Sequence, residues 1–131
     1  MKKLIFALAA VSLVAVAQDD AAYQKIMKEV GRESGAIRKA DPKTGPDVAA
    51  SAEKIAVDFD QSKTYWTQRG GADEAVKWSE DGKAAALELA SAAKAGDAAK
   101  AGSALGKMSG TCKACHDAHR EKTADGAYKV K

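Results

Sequence analysis

The sequence predicts an all-α protein, an antiparallel up-down-up-down bundle of four helices. Three observations carry that expectation. Alanine is abundant, aromatic residues make up 5% of the chain and β-branched residues are sparse, so helix propensity is high along nearly its whole length. The two prolines, Pro42 and Pro46, fall in one short stretch. Apolar residues recur at steps of three and four in four blocks separated by glycine or proline, and four amphipathic stripes joined by short loops bury their faces in a bundle.

Taken in order, the chain opens on Met1-Lys2-Lys3, followed by an apolar run of about 14 residues from Leu4 to Ala17 that ends in Ala15-Val16-Ala17. This has the form of a secretory signal peptide, residues 1–17. The run is short for a transmembrane span and closes on a small-x-small cleavage site, so the mature domain is expected to be residues 18–131, exported to the periplasm and without a membrane span. The formal net charge of +3 includes Lys2 and Lys3, so the mature chain carries about +1, a balance that gives no hint of nucleic-acid binding.

The first mature helix is expected from Asp19-Asp20, with Tyr23, Ile26, Met27, Val30, Ser34 and Ile37 on its apolar face. Pro42 to Pro46 form a loop, and Asp47 is placed to cap the second helix, whose stripe runs Val48, Ala52, Ile55, Phe59, Ser62, Trp66 until Gly70-Gly71. A third helix opens at Ala72-Asp73 and buries Ala75, Trp78, Gly82, Ala85, Leu89 and Ala92. Asp97 begins the fourth, where Ala98, Ala101, Leu105, Met108, Cys112, Cys115 and His119 continue one stripe to an end expected near Ala124. Gly31 and the series Gly102, Gly106, Gly110 suggest close approach of a ring or a backbone, because each glycine costs roughly 1 kcal/mol inside a helix.

The last stripe contains the chemistry. Cys112-Lys113-Ala114-Cys115-His116 is a C-x-x-C-H pentapeptide, the attachment signature of c-type haem. On a helix the three residues share a face, so two thiols can add to vinyl groups while His116 binds iron from the same side. Other uses of the pair fit less well. A redox dithiol wants a βαβ context, a disulfide suits helical spacing poorly, and zinc would draw on Cys112, Cys115, His116 and His119 without the usual two separated ligand pairs. The core also asks for a cofactor, since alanine-rich stripes pack thinly and a porphyrin supplies a large apolar body.

For the sixth iron position the candidate is Met27. It lies about seven residues into the first helix and His116 about eight from the expected end of the last, so both sit roughly 11 Å from one end of the bundle. A thioether is a soft ligand suited to haem iron, and a Met/His pair raises the reduction potential. A methionine on an apolar face is also ordinary core filler.

Gly110-Thr111-Cys112-Lys113-Ala114-Cys115-His116-Asp117-Ala118-His119-Arg120, with the motif near the C-terminus, resembles the haem-binding end of the class II c-type cytochromes, the cytochrome c-prime superfamily. Gln24 to Lys28, Trp78 and Ala95-Gly96-Asp97 extend the resemblance over the mature chain. It implies one covalent haem c, His116 as proximal ligand, Arg120 near the proximal face, and Met27 at the distal position, as in the low-spin branch. Tyr23 stands where many high-spin members have an arginine, and His119 where the family usually has an aromatic residue. The expected function is that of a periplasmic electron carrier, not an enzyme, acting on other periplasmic redox proteins as a monomer or homodimer. The alternative is a five-coordinate, high-spin protein that binds NO or CO beside Met27. Lys25, Lys28, Lys107, Lys113, Arg120 and Lys122 form a possible basic rim, with Glu29, Asp117 and Glu121 interspersed as on any solvated helical face.

Overall fold

A computed structural model describes residues 7–131, with side chains from Asp19 onward. Four helices follow one another: α1 Ala7–Lys39, α2 Pro46–Arg69, α3 Asp73–Lys94 and α4 Ala98–His119. A two-stranded antiparallel hairpin closes the chain, β1 Arg120–Lys122 against β2 Tyr128–Val130, with Glu121 opposite Lys129. Helix α2 packs on both α1 and α3, and α3 packs on α4, whereas the outer pair α1 and α4 scarcely touch. Their described contacts are few, among them Arg38 on α1 donating to Ser109 on α4 at 3.4 Å, and this leaves room between the two helices for the site. Among the described residues no helix is long and apolar enough to cross a membrane.

The four stripes bury as their periodicity demands. Val48, Ala52, Ile55, Phe59, Ser62 and Trp66 are all buried on α2, and Ala75, Gly82, Ala85, Leu89 and Ala92 on α3. The core divides into two clusters. One is aliphatic and alanine-rich around Ile37, Ile55, Leu89 and Met108. The other is aromatic, made by Tyr23, Tyr65 and Trp66 with Ala72 and Ala75. Met27 packs against both.

Five expectations need correction. Helix α1 does not begin at Asp19 but runs continuously from Ala7, because the alanine-rich segment before Asp19 is itself a strong helix former and holds no breaker. The proposed leader is therefore part helix and part outside the described residues, Met1 to Phe6, and the side chains around its expected end at Ala17 are outside them too. Asp47 does not cap α2. Gly45 occupies the cap position at φ 99°, Pro46 follows, and Asp47 lies in the first turn, where its charge still meets the positive end of the helix dipole. Asp97 does cap α4, accepting from Lys100 N at 3.0 Å.

The third correction concerns the end of α4, which stops at His119 rather than near Ala124. Arg120 is already extended, at φ −118° and ψ 132°, and Gly126 at φ 85° turns the chain back so that Lys131 N donates to His119 O at 3.0 Å. Fourth, Gly102, Gly106 and Gly110 approach nothing. A Cβ at each would meet no atom within 4 Å, since the three lie on the solvent side of α4, opposite Ala101, Leu105 and Met108. Fifth, Ala98 is exposed in the first turn, where the stripe has not yet met a neighbouring helix.

The close approach occurs instead at Gly82, where a Cβ would stand 2.7 Å from the Phe59 ring. Gly82→Ala is expected to destabilise the bundle by about 1–3 kcal/mol despite the better helix propensity of alanine, because the ring must leave its site. Chemical denaturation checks this, and a stability equal to wild type would show that Phe59 has room to move.

Asp58 is a buried carboxylate on α2 whose Oδ2 has no hydrogen-bond partner. Burial, and then the charges of Glu29 and Glu33, push its pKa up. The folded state thus holds this proton more tightly than the unfolded chain, so the stability present below the unfolded value of about 3.9 is lost as pH rises through the raised folded value. Asp58→Asn is expected to raise the melting temperature at pH 7 and to lose that advantage near pH 3. Melting curves at the two pH values decide, and an equal gain at both would remove the carboxylate's charge as the cause.

Candidate haem site

A cavity of about 500 Å³ fills the space between α1 and α4. Its α4 wall presents Thr111, Cys112, Cys115, His116 and His119, and its α1 wall presents Tyr23, Met27, Val30, Gly31 and Ser34. Phe59 and Trp66 from α2, with Trp78 from α3, form the floor, and Tyr128 and Val130 of the hairpin lie along one side. The helical spacing of Cys112, Cys115 and His116 does what the sequence requires of it, directing all three into the same space. Met27 lines the cavity from the opposite helix. Because α4 ends at His119 and not near Ala124, the equal heights expected for Met27 and His116 do not follow from counting residues; what the two share is the lining of one cavity.

Both cysteines are free and half-buried. Burial pushes the Cys112 thiol up, against the opposing charge of Arg38. Burial, with Cys112 and Glu74 adding, pushes Cys115 up to about 11. These are protonated thiols, and their disposition on one helical face is that of groups adding to a single ring. They are not arranged as a zinc site. Among the described residues no three His, Cys, Asp or Glu side chains converge as a metal cluster, and the Nε2 of His119 faces Glu74 Oε1 at 2.7 Å. His119 also packs between Trp66, 4.6 Å away, and Trp78, 6.3 Å away, so it serves the aromatic wall.

His116 is half-buried, and desolvation, followed by the charge of Arg120, lowers its pKa. Its imidazole is thereby kept neutral, with a lone pair available to a metal. Arg120 lines the cavity and holds its guanidinium 4.1 Å over the Tyr128 ring. Tyr23, in the position where the resemblance would put an arginine, is an aromatic wall residue instead. It stacks on Tyr65 at 4.1 Å and accepts a hydrogen bond from Trp66 Nε1 at 3.1 Å. Ser62 and Ser79, buried residues that also line the cavity, satisfy each other at 2.9 Å, and Ser79 also donates to Ala75 O.

The residues fit a haem. Most of the wall surface is apolar, supplied by aromatic, aliphatic and sulfur-bearing side chains, as a porphyrin face requires. Their charged members are Lys28, Arg38, Arg120 and Lys129, with no carboxylate among them, which suits a macrocycle carrying two propionates. Gly31 leaves the α1 wall open, with nothing within 4 Å of where a Cβ would be. Sequence reasoning did not foresee Arg38, Tyr128 or the wall role of Trp66 and Trp78. Arg38 carried no periodic signal, Tyr128 lies on the hairpin, and the indoles were assigned to the core in general.

Comparison with known proteins agrees with this geometry. The family described as Cytochrome C' matches residues 14–120. A cytochrome c' of Rhodospirillum rubrum is 34% identical over 139 aligned positions, covering 86% of this chain and 92% of its own length. No solved structure matches the chain at a significant level. With the match spanning four helices and the C-x-x-C-H motif, the chain belongs to the cytochrome c' family, whose members bind haem c covalently in a four-helix bundle.

Proposed function

We propose that this protein is a periplasmic electron carrier with one haem c, joined to Cys112 and Cys115 and ligated by His116 and Met27. The observation that carries the reading is the placement of Met27 and His116 on facing helices across one cavity, with both thiols on the wall that bears His116. The haem supplies reversible one-electron iron chemistry. The protein's own residues do the rest. Cys112 and Cys115 fix the ring to α4, His116 offers a neutral imidazole on one side, and Met27 offers a thioether on the other. Lys28, Arg38 and Arg120 are positioned to neutralise propionates, while Trp66, Phe59 and Trp78 exclude water. With His116 and Met27 both holding the iron, no position would remain for a substrate, so the protein would exchange electrons through its surface and would not act as an enzyme.

A second reading has its own support, the name cytochrome c' borne by the relative from Rhodospirillum rubrum. There the distal position is open, Met27 lines the pocket, and NO or CO binds beside it. Optical spectra of the oxidised and reduced holoprotein from a host that matures c-type haem separate the two. A low-spin spectrum in both oxidation states supports the carrier, and a high-spin resting spectrum gives the gas-binding reading first place.

A further inference from the structure

The cations of this protein divide sharply by location. Among the described residues every Lys and Arg on α2, α3 and α4 lies within ion-pair distance of a carboxylate, as in Lys63 with Glu80 at 2.6 Å, Lys83 with Asp60 at 2.7 Å and Lys107 with Glu88 at 3.0 Å. The cations without such a partner are elsewhere. They are Lys25, Lys28, Arg38 and Lys39 on α1, Arg120 and Lys122 on β1, Lys43 in the α1–α2 loop, which donates to two carbonyls, and the last residue, Lys131. Two segments that line the cavity from different sides, α1 and β1, thus hold six of these eight cations in a chain whose formal net charge is only +3.

Local geometry concentrates that charge at the mouth. Lys28 and Arg120 line the cavity, Lys25 shares the helical face of Lys28 one turn away, and Lys122 shares the strand face of Arg120. Between them stands Tyr128, 50% exposed and stacked under the Arg120 guanidinium, the pairing of residue types that interface centres favour. The one carboxylate of the hairpin without an ion-pair partner, Asp125, is exposed and accepts from Thr123 and Ala127 within the turn. All of the hairpin except Arg120 lies beyond residues 14–120, the part that the family model matches. Two of Lys28, Arg38 and Arg120 can be matched by propionates, and the remaining cations have no carboxylate counterpart among the described residues.

We propose that the mouth of the cavity, between α1 and the C-terminal hairpin, is the docking surface for an acidic redox protein, steered by Lys25, Lys28, Arg120 and Lys122. The proposal rests on the electron-carrier reading. Like-signed charges around an apolar opening repel one another and cost stability, while they raise the encounter rate of an anionic partner and orient it toward the site of electron exchange. The exchange itself moves one electron between the haem and the partner, with no bond formed or broken.

Stopped-flow electron exchange between the holoprotein and two small complexes, anionic ferricyanide and cationic tris(phenanthroline)cobalt(III), tests the steering field. The ferricyanide rate is expected to fall as ionic strength rises, and to fall by about tenfold in Lys28→Glu combined with Lys122→Glu. The cobalt rate should move the opposite way. The control is Lys63→Glu combined with Lys83→Glu on the opposite side of the bundle, which changes net charge equally and should leave both rates near wild type. Equal slowing in the two double variants would mean that net charge alone acts, and would overturn the docking surface. So would sedimentation of the holoprotein with phosphatidylglycerol vesicles at physiological salt, since the cations would then serve an anionic membrane. A haem-loaded protein that exchanges electrons with neither complex would instead overturn the carrier reading itself.

Discussion

In the double variant Cys112→Ala, Cys115→Ala, covalent haem is expected to be lost and the bundle to become partly unfolded, with α1 the first element to lose protection. The reason lies in how the helices are connected. Helix α1 is held to the rest mainly through α2; its described contacts with α4 are few, among them Arg38 with Ser109 at 3.4 Å, so a group in the cavity would add a main link between the two outer helices. The surrounding core is rich in alanine and offers few large side chains to collapse inward. At about 24 cal/mol per Å³, a dry void of about 500 Å³ would cost roughly 12 kcal/mol, which is comparable to the whole stability of a domain. The figure is a ceiling, because the mouth admits water, and the apo chain is expected to lose part of its packing around the cavity. Mass spectrometry after acid-acetone extraction checks the attachment. Circular dichroism and amide exchange check the fold, and a cooperative apo bundle with α1 fully protected would show that the four helices need no cofactor to stay assembled.

The parts of this structure that were legible in the sequence are those governed by helical periodicity. Ile55, Phe59 and Trp66 on α2, and Ala85 and Leu89 on α3, are buried because a step of three and four admits one face. Cys112, Cys115 and His116 were legible for the same reason, since their spacing fixes them on one face before any neighbour is known. What depended on a non-periodic event was missed. The end of α4 is set by a hairpin whose signal was three residues of alternation, Tyr128-Lys129-Val130, after Asp125-Gly126, a turn dipeptide that an expected helix end near Ala124 left unused. Periodicity put Gly82 on a buried stripe and left Gly106 off one, but it did not say that the Phe59 ring would stand where a Gly82 Cβ would be. The aromatic wall needed three elements to be assembled at once, because Tyr23, Trp66 and His119 come from α1, α2 and α4.

Replacing Met27 is expected to change the spin state of the iron, and this single position separates the two functional readings. Met27 is half-buried, packs against both core clusters and lines the cavity opposite His116. A side chain in that place is either a ligand or a wall. If it is a ligand, the wild-type holoprotein is six-coordinate and low-spin, and it takes up carbon monoxide slowly. Met27→Ala then removes the thioether, and the ferrous protein should become high-spin, bind carbon monoxide readily and show a lower reduction potential, because the soft ligand that favoured the reduced state is gone. The alanine also leaves a gap where two clusters meet, so a change in that variant alone could come from repacking. Met27→Leu conserves volume at a packing cost of less than about 1.5 kcal/mol, and it should reproduce the spin change with little loss of thermal stability. Concordant behaviour of the two variants assigns the effect to ligation. A wild-type protein already high-spin, or a leucine variant with the wild-type spectrum, makes Met27 a wall residue and leaves the distal face free for a diatomic gas.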